Sequence, residues 1–596
     1  MNIINLLHLK GIKLITPRFR FQKATLINVN VNTNTVKPPE DSQNVVEPNF
    51  PSINTSTFGT NSMQPSNAYF QPKIIEEVSS ENKIESSEYI ESTSKLYAFK
   101  DSLPFDLMPG PQSIKMLAKL WNFFPLASRY EESIQKLVGA DNIFGYLSWY
   151  NSLPLFKRMI NEYGPLVRLH GPFGGNVVIL LRLEDAMTLI KSEGLFPIRS
   201  CIDSLEQYRL QYRKYKQAGP FLTCGPEWKK MRNVVEGLLC DYVDNQFKVI
   251  DEASNEFINR ILHIRNKQDE VLSSFYNEIN KWSLECICSI LLNKRFGFLE
   301  SAGINFSSEP ARILDSVKEV VTAIHRCEFG IHFWKIVETP GWKNLVKYCD
   351  VLDTIFNKYV HKAQDSLRHK KNSNDNLTVQ NISFLESLLL KEEISSEDSL
   401  TLLLDMVIIG STAVTHAVAF LLYHLARYTN AQRKLYEEIK KTSAKLTRQD
   451  LSNMPYLQAC LKESLRLKQP IPILNRVLPE NSLIHNYQVP KNTHVLIPTQ
   501  LYSLKEEYFE DSLKFKPDRW LYDDLELSNF KLSALSFGCG SKSCFAQALA
   551  EMQLGTLVVQ ILRKFRVAYQ YGEINSTNQM LAAPDRPLRF SFIDRD

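Results

Sequence analysis

The segment Phe537-Gly-Cys-Gly-Ser-Lys-Ser-Cys-Phe-Ala-Gln-Ala-Leu-Ala-Glu551 decides the fold and most of the chemistry of this chain. Gly538 and Gly540 mark a loop that can pass close to a flat ring, because glycine has no side chain to obstruct it. Apolar residues then recur at helical spacing. The pattern predicts that Cys544 lies at a helix N-terminus, where the dipole and free N–H groups favour a thiolate.

Four further motifs lie at a distance from this segment. Two of them place charged or aromatic residues one helical turn apart, so that the side chains share one helix face. The motifs are Trp228-x-x-x-Arg232, Glu463-Ser-Leu-Arg466, Leu474-Asn-Arg476-Val477 and Phe515-Lys-Pro-Asp-Arg519-Trp520.

The stretch Phe537-x-x-Gly540-x-Lys542-x-Cys544-x-Ala546 resembles the haem-binding signature of the cytochrome P-450 family, and the four motifs match that family in order and spacing. The family usually has Arg where Lys542 stands and often Gly where Ala546 stands. The resemblance runs from about Leu103 to the C-terminus. It implies a mainly α fold with small β-sheets and haem b between a long central helix and the cysteine-bearing helix.

The resemblance also assigns roles to individual residues. Cys544 would bind the iron through its thiolate, which makes it both cofactor-binding and metal-binding. Glu463, Arg466 and Arg519 would form a buried triad, in which every charge must be paired. The remaining cofactor-binding residues would line the haem loop or meet its propionates: Trp228, Arg232, Arg476, Phe537, Gly540 and Lys542.

Within the family the chain resembles the animal mitochondrial group. One reason is the basic, acid-free N-terminal segment of residues 1–39. The others are the Asp-Arg-Trp520 ending of the motif that begins at Phe515, and the stretch Leu549-Ala-Glu-Met-Gln-Leu554 after the cysteine. The resemblance implies a monooxygenase that uses dioxygen and acts on a lipophilic substrate such as a steroid. An iron–sulfur ferredoxin would supply electrons. The expected location is the matrix side of the inner mitochondrial membrane, with peripheral membrane contact.

The sequence departs from the family pattern in the central helix. Members carry an acid and an alcohol there, which deliver protons; aligned on Gly410, those positions hold Thr412 and Ala413. Thr412 or Thr415 is the candidate that could supply a hydroxyl, and the nearest upstream acid is Asp405. We interpret the adjacent His416 as a packed or surface histidine.

A second departure concerns the electron donor. Mitochondrial members carry two basic residues three and four positions after the cysteine, where this chain has Gln547 and Ala548. The cations left as candidates for docking a ferredoxin are Lys462, Lys468 and Lys542.

Two alternatives to a monooxygenase stay open because of the missing acid–alcohol pair. One is a haem-thiolate isomerase or dehydratase that does not activate dioxygen. The other is a non-catalytic relative that binds haem or lipid.

A net charge of +5 spread over 596 residues gives no indication of nucleic-acid binding.

The chain divides into three predicted regions. Residues 1–39 hold six basic and no acidic side chains among scattered apolar ones, as in a mitochondrial transit peptide. Residues 40–96 are rich in polar residues without periodicity, which is typical of a disordered linker. Residues 97–596 form the folded domain. It is expected to be mostly helical, with a hairpin from Leu166 to Leu181, strands from Leu483 to Pro498 and a last strand at Leu588–Phe592.

Because its first 39 residues are basic and acid-free, the chain should enter mitochondria and lose an N-terminal segment on import. A tagged full-length chain can be located by imaging, and the mature N-terminus can be sequenced. Replacing the six basic residues by Gln should prevent import. Localisation to the endoplasmic reticulum with Met1 retained would contradict the prediction.

Overall fold

The computed structural model describes residues 102–112, 116, 153–170, 176–199, 202–271, 274–300, 305, 307–328, 332–372, 382–521, 535–577 and 581–595. The predicted transit segment and linker lie outside the described residues. The described residues belong to one structural unit.

Helices dominate the described residues, as the sequence predicts. The first group runs up to the middle of the chain: Leu153–Tyr163, Leu183–Lys191, Asp203–Gln207, Pro226–Val243, Phe247–Ile264, Phe275–Leu292, Glu309–Glu328 and Pro340–Asn372. The second group follows it: Phe384–Leu389, Ser396–Asp405, Ser411–Arg427, Thr429–Ile439, Arg448–Ser452, Pro455–Leu467, Thr499–Ser503 and Gln547–Lys564. The last of these is called the cysteine helix below.

The strands form three small sheets in the described part of the chain. The strands of the largest sheet are Leu166–His170 (β1), Asn176–Leu180 (β2), Leu474–Val477 (β3) and His494–Ile497 (β6). They lie in the order β1-β2-β6-β3, with β1 and β2 forming the predicted antiparallel hairpin and β2 pairing with β6 in parallel. The two-stranded sheets join Ser482–Ile484 (β4) to Tyr487–Val489 (β5), and Phe565–Ala568 (β7) to Ser591–Asp594 (β8).

The predicted position of the last strand was wrong by about three residues, since β8 is Ser591–Asp594 rather than Leu588–Phe592. The alternating apolar residues that suggested the earlier position are indeed buried, with Leu588 at 1% and Phe590 at 0% exposure. Leu588 makes only an isolated bridge, to Ser274. The alternation therefore indicates burial against the core. The position of the strand is set instead by its hydrogen-bonded partner β7, which pairs with Ser591–Asp594.

A long central helix is formed by Ser396–Asp405, a π turn at Met406–Gly410, and Ser411–Arg427. Its start is fixed by a capping box: the Ser395 hydroxyl accepts from the Asp398 amide, and the Asp398 carboxylate accepts from the Ser395 amide. The helix is long enough to span a membrane, and its most apolar 18-residue stretch has a mean hydropathy of 1.8, but 83% of that stretch is buried in the protein.

The central helix lies in the middle of the core, which explains its apolar composition. It packs against Phe275–Leu292, against Pro455–Leu467 and against the cysteine helix. The π turn is anchored from outside the helix, because the Ser283 hydroxyl donates to the Ser411 carbonyl over 3.0 Å. This packing fixes the two helices between which the cofactor is expected.

The predicted triad of Glu463, Arg466 and Arg519 is confirmed. Arg466 donates to both oxygens of Glu463 at 2.8 Å, and both side chains are fully buried. Arg519 Nε donates to Glu463 Oε1 at 3.1 Å. Arg466 also donates to the carbonyls of Ser503 and Ser512. The triad thus ties the Pro455–Leu467 helix to the segment that leads into the cysteine loop.

Replacing Glu463 by Ala should destabilise the fold by about 3–5 kcal/mol, because it leaves two guanidinium groups buried without their carboxylate. Urea unfolding followed by circular dichroism measures this. The matched control is Glu437→Ala, which removes a carboxylate from the exposed pair with Lys440 and should cost less than about 0.5 kcal/mol. Equal effects of the two variants would contradict the structural role of the triad.

Candidate active site

The loop before Cys544 is held in a fixed shape by its own backbone. Gly538 and Gly540 adopt φ angles of +78° and +67°, which residues with side chains rarely take. The Cys544 amide donates to the Phe537 carbonyl over 2.8 Å and closes the loop. The glycines of the motif are therefore required by backbone conformation, and Phe537 marks where the loop closes.

Cys544 lies slightly outside the position that the sequence predicts. The cysteine helix begins at Gln547, and Ala546 is its N-cap residue. Cys544 remains accessible to small molecules, yet the surrounding protein raises the pKa of its thiol. The Ala546 amide and the charge of Arg232 act in the opposite direction. The helix start therefore opposes the effect of burial on this thiol without overcoming it.

One side of the loop carries three of the predicted cofactor-binding residues. Arg232 Nη1 donates to the carbonyl of Ser543 over 2.6 Å, next to the cysteine. Lys542 Nζ lies 3.4 Å from the centre of the Trp228 ring, a cation–π contact. Trp228 and Arg232 reach the loop from one face of the Pro226–Val243 helix, as their spacing predicts.

The other side of the loop is met by Arg476 from β3. Arg476 Nη2 donates to the Cys539 carbonyl over 3.2 Å, and its Nε pairs with Glu193 Oε2 at 2.5 Å. Sequence analysis did not identify Glu193. The contact joins residues 283 positions apart in the chain, and no local pattern marks the acidic partner.

The residues around the loop fit a haem. Cys544 offers an accessible thiol, a ligand known for haem iron. Arg232, Lys542 and Arg476 flank it on two sides, as the two propionates of a haem require. When bound, haem supplies the redox chemistry with dioxygen, and the chain supplies the thiolate, the cations and the enclosing helices.

The hydroxyls of the central helix are already engaged. Thr412 donates to the Ile408 carbonyl over 2.7 Å and is only partly buried. Thr415 is fully buried, donates to the Ser411 carbonyl over 2.7 Å, and lies 3.3 Å from the side-chain oxygen of Asn280. Thr415 thus faces the Phe275–Leu292 helix, and the proton-delivery role of Thr412 stays a prediction.

Asp405 does not replace the missing acid. It is bound to Arg209 over 2.7 Å in an ion pair that is almost completely buried. Its second oxygen accepts from the Phe221 amide at 3.2 Å. A carboxylate that is held in this way serves to fix the helix, because releasing it would leave the charge of the buried Arg209 uncompensated.

The histidine on the central helix is packed, as predicted. His416 is fully buried, its ring lies 4.7 Å from that of Phe420, and burial lowers its pKa to about 3. The imidazole is therefore neutral at physiological pH. Its neutral, enclosed ring fits a role in core packing.

Two of the three lysines proposed for ferredoxin docking are partly buried and contact other residues of the chain. Lys542 covers Trp228, and Lys468 is partly buried, donates to Asn575 and has its pKa lowered by burial. Their charges are used within the chain. The expectation that they form a docking face is therefore not supported by where they lie.

A mainly helical fold with an accessible cysteine in a Gly-bounded loop, flanked by basic side chains, defines the haem-thiolate class of proteins. The chain belongs to the cytochrome P450 family, whose model matches residues 141–592. Its cofactor is therefore haem, and it is an oxidoreductase of the monooxygenase family, as the sequence resemblance implied.

Several curated relatives are similar over most of their length. "Probable cytochrome P450 301a1, mitochondrial" of Drosophila melanogaster is 27% identical over 84% of this chain and 88% of the relative. "Probable cytochrome P450 12b2, mitochondrial" of the same fly is 30% identical over 75% and 85%. "1,25-dihydroxyvitamin D(3) 24-hydroxylase, mitochondrial" of Rattus norvegicus is 27% identical over 68% and 77%. These names confirm the resemblance to the mitochondrial group.

Replacing Cys544 by Ala should abolish the long-wavelength band that the reduced carbon-monoxide complex of a thiolate-ligated haem shows, because the thiolate is lost. The measurement is a difference spectrum of the purified holoprotein. Cys539→Ala is the matched control: Cys539 lies in the same loop, and burial raises its pKa to about 11. The control should keep the band; a Cys544 variant that also keeps it would show that another residue is the ligand.

Proposed function

We propose that this chain is a mitochondrial haem-thiolate monooxygenase that inserts one oxygen atom of dioxygen into a lipophilic substrate, with steroids as the first class to test. Electrons would come from an iron–sulfur ferredoxin. The observation that carries the proposal is the arrangement around Cys544, with Arg232 and Lys542 on one side of its loop and Arg476 on the other.

In this proposal the described residues have separate tasks. Cys544 would bind the haem iron through its thiolate, and the three cations would bind the carboxylates of the cofactor. The buried central helix would enclose the cofactor and exclude water from it. Thr412 is the candidate hydroxyl of this helix, but it already donates to the Ile408 carbonyl, so proton delivery would depend on breaking that hydrogen bond or on a hydroxyl of the substrate.

The proposed location is the matrix side of the inner membrane. The mitochondrial names of the relatives and the basic segment 1–39 support it. Leu195 and Phe196, adjacent in one loop, are 70% and 43% exposed, and apolar side chains of this kind can insert into a bilayer surface. The ferredoxin must then dock on cations other than Lys468 and Lys542.

A second candidate function is a haem-thiolate isomerase or dehydratase. The occupation of the usual acid and alcohol positions by Thr412 and Ala413 favours it, since such an enzyme needs no proton delivery to dioxygen. Turnover of a peroxide substrate without any reductant would support this candidate. Dioxygen consumption coupled to product with a ferredoxin system supports the monooxygenase.

With substrates that lack a hydroxyl near the oxidised carbon, the unaltered enzyme should couple poorly. The Thr412 hydroxyl already donates its hydrogen bond to the Ile408 carbonyl, and Ala413 has no hydroxyl. Thr412→Asp combined with Ala413→Thr should raise product formed per reductant consumed by roughly tenfold, a modest part of the 10²–10⁴-fold typical of a positioned proton donor. The assay uses reduced NADP, ferredoxin reductase and ferredoxin.

The two single variants are the controls, and each should give less than the pair. A substrate that bears a suitable hydroxyl should couple well in the unaltered enzyme. Tight coupling of a substrate without hydroxyls, unchanged by Thr412→Ala, would show that the proton arrives by another route.

A further inference from the structure

Glu193 follows the Leu183–Lys191 helix and reaches into the cysteine loop. Its side chain is only 7% exposed. One carboxylate oxygen pairs with Arg476 Nε at 2.5 Å, and the other accepts from the Ser541 amide at 3.2 Å. An acidic side chain this enclosed needs such partners, because an unpaired buried charge is costly.

The carboxylate and Arg476 hold the loop at two backbone points. Arg476 Nη2 donates to the Cys539 carbonyl at 3.2 Å, while Glu193 accepts from the Ser541 amide. These two groups lie on either side of Gly540. The pair therefore fixes the orientation of the peptide planes three to five residues before Cys544.

The packing of Glu193 on Gly540 is tight. A Cβ atom at position 540 would lie 2.3 Å from Glu193 Oε1 and 2.8 Å from a methyl carbon of Ile190. Glycine is thus required here for the approach of the carboxylate as well as for its φ of +67°. The glycine of the motif and the distant acid form one arrangement.

Arg476 is also oriented by this pair. Its Nε is bound to Glu193, its Nη1 donates to the Asn475 carbonyl, and its Nη2 donates to Cys539. Among the described contacts, three of the five donors of the guanidinium are engaged, one on each nitrogen. The terminal nitrogens each keep one N–H with which to meet a cofactor carboxylate.

We propose that Glu193 is a positioning residue for the haem thiolate: through Arg476 and the Ser541 amide, it holds the loop segment Cys539–Ser541 and so fixes Cys544 on the iron. The inference rests on the proposed role of Cys544 as ligand. It adds an acidic residue to the cations that flank Cys544, and it predicts that this residue controls retention of the thiolate bond.

The test compares Glu193→Ala with Asp185→Asn in the full-length holoprotein. Asp185 is the matched control, because it lies on the neighbouring helix, is 9% exposed and is paired bidentately with Arg182. In the reduced carbon-monoxide complex of the Glu193 variant, a shorter-wavelength band should replace the long-wavelength band. The replacement should be about tenfold faster than in the unaltered protein, as expected for loss of a charge-assisted hydrogen bond. The control should keep the original rate.

Glu193→Gln provides a second, shape-preserving variant. It keeps an acceptor for the Ser541 amide but removes a negative charge beside Arg476. The haem reduction potential should therefore shift to more positive values, and loss of the band should be intermediate in rate. This variant decides the question if Glu193→Ala does not fold.

Each outcome bears on one claim. If the unaltered protein shows no long-wavelength band, the proposed function itself fails. If that band is present and Glu193→Ala loses it no faster than Asp185→Asn does, the inference is overturned. An unchanged rate together with an unchanged potential in Glu193→Gln overturns it as well.

Discussion

The bidentate pair of Glu463 and Arg466 is the interaction on which the rest of this structure depends. Both side chains are fully buried, so neither can be hydrated, and each must satisfy all its polar atoms within the protein. Glu463 accepts from Arg519, from the Trp520 indole and from the Lys516 amide, while Arg466 donates to backbone carbonyls. Segments with little regular structure are thereby held to one helix.

The candidate site is likewise assembled from distant parts of the chain rather than built on one element. The Pro226–Val243 helix, β3 and the end of the Leu183–Lys191 helix all reach the loop before Cys544. Each contact ends on a backbone atom of the loop or on a side chain next to it. Such a loop can be rigid without being helical or extended, because partners on both sides hold its peptide groups.

Much of this arrangement could be predicted from the sequence because the motifs are local. The spacing of Trp228 and Arg232 places them on one helix face, and Gly538 and Gly540 predict a loop. Glu193 could not be predicted, since its partner lies 283 residues away and nothing near it is distinctive. Whether Lys468 and Lys542 are free to dock a ferredoxin could not be predicted either, because the exposure of a lysine depends on tertiary packing. The start of the cysteine helix differed from expectation, since N-cap geometry at Ala546 is set by the loop.

The π turn at Met406–Gly410 has a consequence for anyone who redesigns the central helix. A π turn accommodates one residue more than an α-helical turn, and each residue of an α-helix advances about 100° around the axis. Residues before the turn are therefore out of phase with those after it. Asp405 and Thr412 therefore cannot be placed on a common helical wheel. A substitution after the turn whose position is chosen by counting α-helical turns from the N-terminal half would lie on a different face from the one intended. The α-helical periodicity of this helix therefore has to be counted afresh from Ser411.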